Sequence, residues 1–230
     1  MNRQNQYVLL IASLPPLGEL FEADRTPISP IMLSERLKLM REDHLDRLYK
    51  IVDLVSWSRL PMGISDKDII EGANQFYKSE RRPLLRKIVE SRMELHTISS
   101  ALRQKMQGAM GPPKHRPWGY GPWTPHIERH WMEPYFGLDG VFPWIKDAED
   151  LLKSESCLEM EKHMLKVAWD MLSFMETGHY FDFEAVALYV LKWDIIKRWT
   201  HYDGPRAVTR FNELTIAGIG TKYVDKFKEG

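Results

Sequence analysis

The stretch from Arg82 to Gly108, RPLLRKIVESRMELHTISSALRQKMQG, constrains the fold more than any other part of the chain. Its apolar residues Leu84, Ile88, Leu95, Ile98, Leu102 and Met106 recur at steps of three, four or seven, the period of an α-helix. One face must therefore find a core. Pro83 suits a first-turn position, where its missing N–H leaves nothing unsatisfied, and Gly108 follows Lys105 as a left-handed stop. Arg86, Lys87, Glu90, Glu94, Arg103 and Lys105 form the polar face and read as a solvated outer surface. The spacing predicts a long amphipathic helix for packing and docking.

Helical spacing recurs on both sides of it. Pro30 opens a helix to about Met40, and Glu42 or Asp43 begins another through Leu45, Leu48, Val52 and Val55 to Trp57. Ser65 and Asp68 resemble a capping box ahead of Ile69, Ile70, Ala73 and Phe76. Further on, His126 to Pro134 supports a turn or two, Ile145 to Leu152 a short helix, and Cys157 to Met175 a strong one that Gly178 stops. Asp182 caps a helix reaching about Tyr202, whose apolar residues from Val186 to Trp199 wrap most of its circumference and mark it as central. Asp203-Gly-Pro205 starts a last helix through Val208, Phe211 and Leu214.

Tyr7 to Ser13, bounded by Leu14-Pro-Pro-Leu-Gly18, reads as a short buried strand or extended arm. The expected fold is all-α or nearly so, a bundle of seven to nine helices with that arm, forming a single domain over residues 1–230. Its one internal interruption is the Pro/Gly/Trp-rich connector 109–125, which cannot be a regular helix or a central strand.

Composition narrows the function. At 230 residues the chain can bury one large core, and 32 lysines plus arginines balance 32 aspartates plus glutamates, so no nucleic-acid partner is expected. Cys157 stands alone and forms no internal disulfide. The apolar runs Tyr7–Ala12 and Ala185–Leu191 are too short for a signal peptide or a membrane span. A cytoplasmic protein, peripheral to a membrane at most, is the expectation. Eight tryptophans and twelve methionines supply large, adaptable apolar surfaces for helix packing.

Few residues are arranged for chemistry. His126 and His130, four apart, share a helix face as a metal pair requires, with Glu133, His115 or His163 available as a third ligand. Glu176 and His179 form E-x-x-H, interrupted by Gly178 and without a second copy. Glu90 and Glu94 share a face but read as ordinary solvated carboxylates. No phosphate-binding glycine loop or serine-hydrolase elbow is present. The expectation is a protein without catalytic residues or cofactor.

Two segments resemble a known family. Leu95 to Gly108, above all Ala101-Leu-Arg-Gln-Lys-Met-Gln-Gly108, resembles the long-helix endings of the C subunit of archaeal and bacterial V-type ATPases, called d in the eukaryotic complex. Tyr7-Val-Leu-Leu-Ile-Ala-Ser-Leu-Pro15 is similar to the start of a shorter family encoded beside bacterial V-type ATPase genes. Glu184 to Gly204, with Trp193-Asp-Ile-Ile-Lys-Arg198, looks like a second copy of the helical unit.

The resemblance implies an all-helical central-stalk protein on the cytoplasmic face of the membrane rotor ring, receiving the shaft of the catalytic head and coupling the two mechanically. Its partners would be those V-type ATPase subunits, and Arg103 and Lys105 would be contacts. Two other readings stand beside it: a helical adaptor or assembly factor that docks through Trp118, Tyr120 and Trp123, and a metal-dependent helical enzyme using His126 and His130.

Overall fold

The structure, a computed structural model, describes residues 3–56, 66–114 and 118–201. Its α-helices among these are α1 (Arg3–Ser13), α2 (Pro30–Leu37), α3 (Glu42–Val55), α4 (Asp66–Ser79), α5 (Pro83–Met106), α6 (Thr124–Arg129), α7 (Trp144–Lys153), α8 (Cys157–Met175) and α9 (Phe183–His201). Short 3-10 turns lie at Leu20–Glu22 and Pro134–Gly137. The described residues contain no strand, and no helix among them is long and apolar enough to cross a membrane. The expected last helix beyond Pro205, the Ser65 cap, Trp57 and His115 lie outside the described residues.

The all-α expectation holds, with one correction at its start: Tyr7 to Ser13 is helix, not strand or arm. Tyr7 and Leu10 are buried at helical spacing while Val8 and Leu9 are exposed, so the run buries one helical stripe. A short apolar run carries no period of its own, and a neighbouring helix, α9, settled this one.

Two apolar cores are strung along α5 and α9. The first collects α1 to α4, the Leu85–Met93 half of α5 and α9 from Phe183 to Trp193. The second collects Leu95 to Leu102 of α5, Trp118, α6, α7, α8 and Ile195 and Ile196 of α9. Both long helices thus pass from the first core into the second. Each fully buried Leu, Ile or Phe contributes roughly 1.5–3 kcal/mol.

Half of the 24 residues of α5 are buried, including Ser91, Glu94, Thr97, Ser99 and Ala101, so α5 is central rather than one-sided. Small side chains there let neighbours approach the backbone, and a count of large apolar residues underestimates such a helix. The expected solvated face is corrected at Glu94, which is buried. The ends are as the sequence indicates. Pro83 occupies the first turn, and Gly108, at φ 87°, donates to Lys105 O while Ala109 donates to Gln104 O, closing the helix by a Schellman motif. Asp182 Oδ1 accepts from Ala185 N–H at 2.8 Å, capping α9.

Candidate functional site

The connector runs to Trp123, since α6 begins at Thr124, and it is laid along α5. Thr97 Oγ1 accepts the Tyr120 N–H at 2.8 Å and donates to Tyr120 O at 3.2 Å. Trp118 is 4 % exposed, donates its indole N–H to Glu128 Oε1 at 3.0 Å and sits edge-on to Trp131. Tyr120 tilts against Tyr77 at 6.0 Å. Trp123 packs edge-on to Phe142 and lies near the Glu94 carboxylate, which it favours in its charged form. The proposed docking aromatics are therefore turned toward the helices, with Trp118 the most enclosed.

His126 and His130 do come together: their rings stack with centroids 4.0 Å apart. Each is committed to a backbone carbonyl. His126 Nε2 lies 3.0 Å from Phe136 O and His130 Nδ1 2.8 Å from His126 O, and since a carbonyl only accepts, those nitrogens carry the hydrogens. His163 is directed to Trp144 O at 2.9 Å. Among the described residues, the one group of three potential ligands does not include the pair.

That group is His179, Asp182 and Glu184, whose ligand atoms lie within 4.8 Å of one another. All three are accounted for by packing at the start of α9. Asp182 caps the helix and accepts from His179 Nδ1 at 2.7 Å, and Glu184 Oε1 takes Arg82 Nη1 at 2.6 Å. The helix N-terminus and Arg82 both oppose a cation there. Glu176 of the E-x-x-H pair turns the other way, gripping Lys192 Nζ at 2.9 and 3.1 Å.

Of the two basic contact candidates, Arg103 is exposed on the surface. Lys105 donates to Glu133 O and lies 4.8 Å above the Phe136 ring, where burial lowers its pKa. Arg103 lines a groove of about 620 Å³ with Leu151, Leu152, Met160, Met164 and Arg198, where the ends of α5, α7, α8 and α9 meet. Sequence reasoning missed this groove because four separated segments build it. It also missed Phe174, Tyr180 and Phe181, which are 83, 68 and 55 % exposed around the turn from α8 to α9. The signal was present as aromatics flanking the Gly178 stop.

The buried charged groups share one arrangement: each links one element to another. Glu80, between α4 and α5, accepts from Arg47 of α3 at 2.8 Å and from the N–H groups of Arg81 and Arg82. Burial alone would raise its pKa, but these donors hold it below the ordinary carboxylate value. Glu94 joins α5 to the connector, and burial raises its pKa. Lys192 joins α9 to Glu176 after α8, and Asp194 joins α9 to Ser56 after α3 at 2.8 Å. His44 of α3 meets Tyr7 of α1 and Arg82 before α5.

Comparison with protein-family models, with curated proteins and with solved structures finds no match.

Proposed function

We propose that the chain is a non-catalytic central-stalk subunit of a bacterial V-type ATPase, coupling the shaft of the catalytic head to the membrane rotor ring during ion transport. The observation that carries this reading is the use of the interior charges. Glu80, Glu94, Lys192, Asp194 and His44 bind helix to helix or helix to connector, which suits a body that transmits force without changing shape. Two helices running through both cores, α5 and α9, serve the same end.

The partner class comes from the resemblance of Tyr7 to Pro15 and of Ala101 to Gly108 to V-type ATPase sequences. The surface supports a docking role: the groove beside Arg103 and the exposed Phe174, Tyr180 and Phe181 are places where another protein can bury apolar area. That aromatic cluster equally suits a helical adaptor for a different complex. Purification separates the two. Tagged full-length protein, recovered from membranes under gentle solubilisation, should bring down rotor-ring and central-shaft subunits. Recovery of neither sinks the V-type ATPase reading, and recovery of another defined complex installs the adaptor.

A further inference from the structure

His44 is 8 % exposed, at the point where α1, α3, the start of α5 and the start of α9 converge. Both of its ring nitrogens are engaged. Arg82 Nη2 lies 3.0 Å from Nε2, and a guanidinium can only donate, so Nε2 must offer its lone pair. The ring's one hydrogen is then on Nδ1, directed at the hydroxyl oxygen of Tyr7. Neutral imidazole in this tautomer satisfies both contacts. The Phe183 ring, 4.6 Å away, also packs against His44 and carries Arg82 at 5.0 Å.

A second proton can go only to Nε2. There it removes the acceptor that Arg82 uses and sets an imidazolium 3.0 Å from a guanidinium. The surrounding acids are already engaged. Asp43 Oδ2 is 3.9 Å from Nε2, but its carboxylate is held in two bonds by Arg41, at 2.9 and 3.0 Å. Glu184 is bound by Arg82 and Glu80 by Arg47. Three guanidiniums, each already paired with a carboxylate, thus act on the ring, with Tyr7 facing it from α1. Burial first, and then Arg82, pushes the His44 pKa below its ordinary 6.5.

We infer that His44 is an acid-operated latch on α1: protonation at Nε2 drives the ring away from Arg82, Tyr7 loses its partner, and α1 comes off α3 and α9. The chain just after α1 stays fastened, because the Tyr189 hydroxyl donates to Pro15 O at 2.8 Å. Opening therefore turns about Pro15 and uncovers the Tyr7 and Leu10 face.

The sign follows from the depressed pKa. The closed state is fully favoured above 6.5 and weakens as pH falls from there through the folded-state value. The loss is about tenfold in the closing equilibrium for each pH unit separating the two.

Amide hydrogen exchange of Tyr7 to Ser13 in the intact protein, corrected for intrinsic rates, tests this between pH 8 and 5. Protection should fall in that segment while α8 keeps its own. His44→Gln offers an acceptor to Arg82 and a donor to Tyr7 but cannot titrate, and its α1 should stay protected throughout. A flat wild-type profile, or the same fall in His44→Gln, overturns the latch. If that variant does not fold, nitrogen NMR of His44 decides. Titration below 6.5 from the Nδ1–H tautomer, in step with the exchange, supports the latch, and titration at or above 6.5 rejects it.

Discussion

Glu80 and Glu94 are both carboxylates shut away from solvent, and their surroundings pull them in opposite directions. Glu80 has the Arg47 guanidinium and two backbone N–H groups, which outweigh its burial and lower its pKa. Its contribution to stability is present above its ordinary value of 4.5 and lost as pH falls through the lower folded-state value. Glu80→Gln should therefore cost about 1–3 kcal/mol in urea unfolding at pH 7 and remove that part of the acid loss. Glu94 has no such set of donors to offset its burial, which raises its pKa, so its ionisation opposes folding as pH rises from 4.5 through the folded-state value. Glu94→Gln, which keeps the size of the side chain and removes its charge, should be neutral or stabilising at pH 7. Gly119 is a third residue with a clear demand: a Cβ there would sit 2.8 Å from the stiff, buried Thr97 methyl. Gly119→Ala should lower stability by about 1–3 kcal/mol, read by thermal unfolding.

Among the elements, α9 was the most legible in the sequence. Apolar residues all round it announced a central helix, and Asp182 announced its cap. Asp182→Ala should cost about 1 kcal/mol by loss of that cap, read by thermal unfolding. The limits of α5 were equally plain from Pro83 and Gly108. Its interior position was not, because Ser91, Thr97 and Ser99 count as polar in a periodicity but pack as small residues in a core. Tyr7 to Ser13 misled for a different reason: its length fits strand or helix, and a neighbour distant in sequence decides. The connector aromatics illustrate the same gap. Trp118, Tyr120 and Trp123 look like a docking motif from the sequence, and the fold sets them against Glu128, Tyr77 and Phe142. The turn at Tyr135 and Phe136, with φ of 54° and 55°, was illegible for want of a glycine at either position. It seats Phe136 fully in the second core, whose packing offsets a left-handed cost of about 1–2 kcal/mol per residue.

At the scale of the whole molecule, two cores share two through-running helices, and the interior charges bind neighbouring elements together. In the proposed stalk role such a body would pass load from one partner to another, docking through the groove beside Arg103 and the exposed aromatics. Replacing Phe174, Tyr180 and Phe181 together by serine should leave helicity intact and weaken recovery of the partner complex at least tenfold, about 1.4 kcal/mol. Arg103→Glu should weaken it through the groove without unfolding the domain. The proposed mechanical coupling is read from the ratio of ion pumping to ATP hydrolysis in membranes that lack the protein and in the same membranes after its return. With a coupling role, pumping falls while hydrolysis by the catalytic head continues, and the ratio recovers on re-addition. An unchanged ratio in the protein's absence would contradict it.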